Sequence, residues 1–215
     1  MTEIRTGTKK VELSYSTTKP QNYLNICAWN ARSLGNKLDL IHDYRSEHNL
    51  DIMLFTESWL KLSDTAEIGQ LENFGEYKFI TLPRDIRRGG GIGCLYKSNL
   101  VVKKLDNLIT SKSFEHLALN LEINGKCVII LVVYRPEPSP KNKYKMSEFF
   151  DDFSKLIAAY YCNNHELLIT GDFNFHMNKP YLSNVLRFRE VLKLLSCLSI
   201  LKNLHMLGET HSTSS

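Results

Sequence analysis

The chain has 215 residues, 43% of them hydrophobic and 23% charged, with a formal net charge of +4. That length allows one large α/β domain or two small ones, and that much apolar sequence can bury a sizeable core, which excludes a wholly disordered chain. The mild positive charge would help bind a polyanion but is far from the balance of a dedicated nucleic-acid-binding module, so charge alone selects no function.

Residues 1–22 are polar, with Thr, Ser and Lys throughout and Pro20 near the end, and read as a flexible leader. A single domain is expected over 23–211, followed by a polar tail at 212–215. Leu24 to Trp29 reads as a strand. Leu34, Leu38, Ile41 and Tyr44 recur at helical spacing and predict a helix ending near Asn49. Asp51 to Phe55 is a short apolar run of the kind found in a strand buried on both faces. The middle is richer in β signals, with strands predicted at Tyr77 to Leu82, Ile92 to Lys97 and Leu100 to Leu105. Leu117, Leu119, Leu121 and Ile123 alternate with more polar neighbours, and Asn124-Gly125 turns that half-buried strand into Cys127 to Tyr134. Met146, Phe149, Phe150, Phe153, Leu156, Ile157 and Tyr160 form one helical stripe. A strand at Glu166 to Thr170 follows, then a helix from Ser183 to Leu201 with Val185, Leu192, Leu195 and Leu198 facing inward. The β-rich centre with helical flanks predicts two packed sheets with helices outside, since consecutive strands joined by tight turns must pair antiparallel.

The five cysteines, Cys27, Cys94, Cys127, Cys162 and Cys197, are odd in number and widely spaced, which predicts reduced thiols in an intracellular protein rather than a zinc site or disulfide framework. No apolar run is long enough to span a bilayer and the N-terminus lacks the apolar segment of a signal peptide. A soluble, non-secreted protein of the nucleus or cytoplasm is expected, with no membrane association and no obligate protein partner evident.

Four polar spots share one position, directly after a predicted strand: Asn30, Glu57, Tyr134-Arg135-Pro136 and Gly171-Asp172-Phe173-Asn174. Ligand groups gather at the carboxyl ends of strands in α/β sheets. Each spot alone has a plainer reading: Asn30 as a helix cap, Glu57 as an exposed carboxylate, Tyr134 as core surface, Gly171-Asp172 as a turn. Together, in this order, they suit phosphate ester cleavage. Mg²⁺ prefers hard oxygen ligands, often one or two carboxylates with waters and substrate phosphate. Glu57 would be the main metal ligand, with Asn30 holding it or the water on the metal. Asp172 and Asn174 would orient the attacking water. The Tyr134 phenol would donate to charge building on the phosphate, a kind of contact whose loss costs roughly 10²–10³ in rate.

The string Trp29-Asn30-Ala31-Arg32-Ser33-Leu34 resembles the opening motif of the endonuclease domains of non-LTR retrotransposons, relatives of the apurinic/apyrimidinic endonucleases and of deoxyribonuclease I. Thr56-Glu57-Ser58-Trp59-Leu60 is similar to their second motif. Arg88-Gly89-Gly90-Gly91-Ile92, Ser113-Phe114-Glu115, Val133-Tyr134-Arg135-Pro136 and Gly171-Asp172-Phe173-Asn174-Phe175-His176 fall in the family's order. The resemblance runs from Leu24 to His211. It implies a four-layered α/β sandwich lacking its last strands, and Mg²⁺-dependent nicking of DNA, with Mn²⁺ as an alternative to Mg²⁺. Arg32, Arg87, Arg88, Arg135, Thr210 and His211 are candidate phosphate contacts, Arg87 and Arg88 because a basic loop beside glycine-rich backbone suits phosphate, though a solvated turn explains that loop as well. Glu209-Thr210-His211 carries Glu209 where the family usually has proline, and the family's Ser-Asp-His motif is absent from the 215 residues. Loss of a positioned acid–base group costs ~10²–10⁴-fold, so impaired activity is expected. Two other readings stay open: a catalytically dead transposon-derived relic that binds nucleic acid weakly, and a phosphatase of the same fold.

Overall fold

The computed structural model describes residues 24–83, 89–139, 144–161 and 165–197. They form two compact units, the first running to Asn99 and the second starting at Leu100. Each unit holds a mixed four-stranded sheet and, among the described residues, two α-helices, so the chain has the mixed α/β composition expected of the sandwich.

In the first unit, β1 (Ile26–Asn30), α1 (Leu38–Glu47) and β2 (Ile52–Thr56) make a strand–helix–strand unit whose two strands pair in parallel. α2 (Thr65–Glu72) leads to the antiparallel pair β3 (Tyr77–Leu82) and β4 (Ile92–Lys97), giving the sheet order β1-β2-β4-β3. Cys27, Trp29, Met53, Phe55 and Leu95 share one sheet face and pack with Leu34, Ile41 and Leu71. Residues of the alternate face, Ile52, Leu54, Ile92 and Cys94, are buried as well, as an unbroken apolar β2 requires. Burial pushes the Cys27 thiol up to about 11 and the Cys94 thiol higher still, so both are inert.

Two features of this unit depart from the sequence pattern. Leu34 is fully buried but lies ahead of α1, because Arg32 and Ser33 turn at φ 45° and 85° and Lys37 ties the turn by donating to both of their carbonyls. α2 has no counterpart among the predicted elements: it contributes only Ile68 and Leu71 to the core and contains Gly69, so its periodic signal is weak. Arg45 is buried too. Its Nη1 donates to the Leu71 carbonyl at 3.0 Å and its guanidinium lies 4.1 Å from the Tyr77 ring centre, tying α1 to α2 and β3.

The second unit has the order β5-β6-β7-β8: β5 (Val101–Lys104), β6 (Glu115–Ile123), β7 (Lys126–Tyr134) and β8 (Glu166–Asp172). Asn124 and Gly125 both take positive φ, 50° and 75°, which is what a two-residue hairpin turn between twisted strands needs. β7 and β8 pair in parallel, joined through α3 (Met146–Tyr160). The α3 stripe packs its three phenylalanines with Phe173, Phe175 and Phe188 against one sheet face. Phe188 comes from α4 (Ser183–Cys197), where Val185 and Leu192 are buried as expected; the Leu195 side chain and Leu198 lie outside the described residues. β8 runs two residues beyond the expected strand, so Gly171 and Asp172 belong to the ladder, not to a turn after it.

His116 on β6 sits in this aromatic face, near Phe114 and Tyr160, with no partner for its Nε2. Burial lowers its pKa from the ordinary histidine value. A histidine whose folded pKa is depressed stabilises the fold while neutral in both states. That stability is lost as pH falls below about 6.5, where the unfolded chain takes up the proton first. His116→Leu is therefore expected to flatten the fall in melting temperature between about pH 7 and pH 5, read by thermal denaturation.

Candidate active site

The four polar spots stand at the carboxyl ends of two parallel strand pairs. Asn30 ends β1 and pairs in register with Thr56, so Glu57 follows directly beside it. The Asn30 amide donates to Glu57 Oε1 at 2.8 Å, and Asn30 Oδ1 accepts the Arg32 backbone N–H at 3.3 Å. Glu57 is half-buried and takes φ 54°; Trp59 follows at φ 55°. A non-glycine residue in this region costs of order 1–3 kcal/mol and persists only where surroundings dictate it. The surroundings here are hydrogen bonds on both sides. Ser33 N–H donates to the Glu57 carbonyl at 2.8 Å and Leu34 N–H to the Ser58 carbonyl at 3.0 Å. On the other side Ser58 and Trp59 donate to the Gly91 and Gly90 carbonyls, each at 3.1 Å. Gly91 fits because it has no side chain: a Cβ there would lie 2.6 Å from Ser58 Oγ. The glycine string thus serves as the wall that fixes the Glu57 turn.

In the second unit, Tyr134 ends β7 in register with Asp172, the last residue of β8, and the buried Arg135 N–H donates to the Asp172 carbonyl at 2.9 Å. Asn174, at φ 50°, donates its backbone N–H to Asp172 Oδ1 at 3.0 Å and its side-chain amide to the Arg135 carbonyl at 2.7 Å. Arg135 answers with Nε on the Phe173 carbonyl at 2.6 Å and Nη2 on the Asn174 carbonyl at 2.7 Å, its guanidinium 4.5 Å from the Phe175 ring centre. Burial lowers the Arg135 pKa from the ordinary arginine value, an effect opposed by the carboxylates of Asp172 and Glu137. Two of the Arg135 donors thereby hold the loop that carries Asn174.

Losing two charge-assisted hydrogen bonds and the ring contact makes Arg135→Ala destabilising by about 3 kcal/mol. Arg135→Lys is expected to recover less than half of that, because one ammonium cannot present two nitrogens in a fixed fork to two carbonyls. Urea unfolding of the two variants checks both numbers.

The structure therefore brings Asn30 together with Glu57, and Tyr134, Asp172 and Asn174 together with Arg135. Arg32 is exposed, and its guanidinium makes no hydrogen bond or ion pair among the described residues. Arg87, Arg88, Thr210 and His211 lie outside the described residues, and His176 is exposed. The sequence conceals Arg135's role because a long side chain does not show which carbonyls it reaches.

A metal can be tested against the donors. Among the described residues no group of three or more His, Cys, Asp or Glu could hold one. The two Glu57 carboxylate oxygens are hard donors, which fit a hydrated Mg²⁺ held through one carboxylate, and the Asn30 amide, donating to Oε1 while its Oδ1 accepts the Arg32 N–H, would orient that carboxylate.

The model of the Endonuclease/Exonuclease/phosphatase family matches residues 27–212. No curated protein sequence matches. Among solved structures, the AP endonuclease LMAP of Leishmania major is 14% identical, with a TM-score of 0.60 over 78% of this chain and 65% of that one. The 3′ phosphatase NExo of Neisseria, bound to a product DNA hairpin, is 18% identical, with a TM-score of 0.58 over 79% and 70%. D. rerio TDP2 complexed with a single-strand DNA product is 15% identical, with a TM-score of 0.53 over 72% and 62%. The chain thus spans about two thirds of the length of these structures, and identities this low carry the fold alone.

Proposed function

This chain belongs to the endonuclease/exonuclease/phosphatase family, and we propose on that premise that it is a metal-dependent phosphodiester hydrolase acting on DNA, of the kind found in non-LTR retrotransposons. The observation that carries the reading is the Asn30–Glu57 hydrogen bond at the ends of parallel strands, in a turn held at positive φ. A carboxylate fixed at backbone expense suits a ligand site better than a structural one. Two neighbours in fold, the Neisseria phosphatase and D. rerio TDP2, carry product DNA, which supports a nucleic-acid substrate.

In this reading Glu57 holds Mg²⁺, or Mn²⁺ in its place, and Asn30 keeps the carboxylate pointed. The metal when bound would neutralise phosphate charge and make water a better nucleophile. Asp172, its Oδ1 already accepting from Asn174, would take a proton from the attacking water, and the Asn174 side chain, anchored to the Arg135 carbonyl, would limit where that water sits. Tyr134 would donate its phenol to the phosphate oxygen that gains charge, and Arg32, Arg87 and Arg88 would meet flanking phosphates.

Supercoiled plasmid, a lipid phosphodiester and an inositol phosphate, each offered with Mg²⁺ and with EDTA, separate the substrate classes. A DNA hydrolase should nick the plasmid alone, and EDTA should abolish the nicking. Turnover of the lipid or inositol ester without nicking would move the protein to the phosphatase branch. DNA binding that weakens steeply with salt and never leads to cleavage would support the relic reading.

A further inference from the structure

We propose that Trp59 is a stacking platform for a base of the bound nucleic acid, presented beside Glu57 by the left-handed turn. The inference rests on the nucleic-acid reading above and extends it to a specific contact.

Trp59 is a large aromatic residue at φ 55°, two positions after Glu57 at φ 54°. Two such residues in three positions are strained, and tryptophan lacks the short polar side chain that eases this conformation. The turn nevertheless holds, because Ser58 and Trp59 donate to the glycine carbonyls and Leu60 anchors the next position in the core. The strain does not serve burial, since the indole stays 39% exposed. Its Nε1 edge faces Gly89, where a Cβ would lie 3.5 Å away, an ordinary van der Waals contact. Among the described residues the indole stacks on no other ring, meets no cation, and donates its N–H to none. By contrast Trp29 is buried against Tyr44 and Phe55.

The neighbours identify the partner. The side chains of Arg32 and Lys61 are exposed and unpaired among the described residues, while the nearby Asp64 carboxylate is used at home, accepting from the Lys61 backbone N–H and the Ser63 hydroxyl. An exposed ring in a turn that is followed by the exposed Lys61 and hydrogen-bonded to the Ser33–Leu34 backbone, next to the exposed Arg32, fits a polyanion that also carries flat apolar groups, which describes a nucleic-acid strand. An apolar protein partner would leave both cations without a counterpart.

The chain has two tryptophans, so emission reads the contact directly, with Trp59→Phe as the blank that leaves only Trp29. Fluorescein-labelled single-stranded and duplex oligonucleotides are titrated in EDTA, following anisotropy for affinity and tryptophan emission for stacking. DNA is expected to quench the parent's emission and not that of Trp59→Phe. Trp59→Ala should bind about five- to one-hundred-fold more weakly, while Trp59→Phe keeps most of the affinity. If the parent binds DNA with unchanged emission, or Trp59→Ala binds as tightly as the parent, the stacking role is wrong and the hydrolase reading stands. If the parent binds neither oligonucleotide, the nucleic-acid reading fails first and this inference with it. Melting curves report folding of Trp59→Ala; should it unfold, the emission comparison between parent and Trp59→Phe still decides.

Discussion

Replacing Glu57 with glycine is expected to remove hydrolysis while leaving the fold as stable as the parent, or more so. Glu57 sits at φ 54°, where an L-residue costs about 1–2 kcal/mol that glycine does not. Glycine in turn costs about 0.5–1 kcal/mol of extra chain entropy, and the Asn30 hydrogen bond is lost, so the terms nearly cancel. Activity has no such compensation. Among the described residues the carboxylate is the acidic group that the first unit offers at this strand end, and its loss should cut turnover by at least roughly 10²–10³-fold. Glu57→Ala keeps the strain and loses the same carboxylate, so it should be equally inactive and melt lower than Glu57→Gly. A Glu57→Gly chain that melts far below the parent would mean that the turn is held by the carboxylate and not by the glycine wall. Retained turnover would remove Glu57 from the chemistry.

The largest effect on stability is expected at Gly171. Its φ is 129°, and a Cβ there would lie 1.9 Å from the Val133 carbonyl oxygen, inside the parallel β7–β8 ladder. Backbone cannot step aside there without unpairing the residues that end in Tyr134 and Asp172. Overpacking and backbone strain add, so Gly171→Ala should cost of order 4 kcal/mol or more, enough to lower the melting temperature by roughly 10 °C. Gly125 is the control. It also takes positive φ, 75°, yet a Cβ there meets nothing within 4 Å, so Gly125→Ala should cost only about 1 kcal/mol of strain. Equal losses at the two positions, measured by thermal or urea unfolding, would show that steric fit in the ladder does not set the Gly171 requirement.

Most of the scaffold was legible in the sequence because its signals are local. Asn124-Gly125 announces a hairpin by its turn chemistry, the α3 stripe by its spacing, and β2 by an unbroken apolar run. Leu34 misled because three-to-four-residue spacing continues by chance across the Asn30–Lys37 turn. Gly171 read as a turn glycine because sequence shows that a side chain is missing but not what stands in its place; that is the Val133 carbonyl of the neighbouring strand. The site followed the same division. The placement of Asn30, Glu57, Tyr134, Asp172 and Asn174 at or just after strand ends could be read from the sequence. The twisted backbone at Glu57 and Trp59, and the Arg135 clamp on Phe173 and Asn174, are long-range arrangements with no local signature. Arg45 and Arg135 make the point together. Both are long charged side chains that a sequence places at the surface, and both are buried because backbone carbonyls and an aromatic ring meet their donors.

In the proposed function, Glu57 and Asp172 serve one metal-dependent phosphodiester cleavage. The most direct test is nicking of supercoiled plasmid in Mg²⁺ by the parent, Glu57→Ala, Asp172→Ala and the double variant, with rates compared as a cycle. Residues that act as a unit are non-additive, so each single variant should fall to the background rate and the double variant should be no slower. Parent nicking that persists in either single variant, or two partial losses that multiply in the double, would contradict a shared role for the two carboxylates.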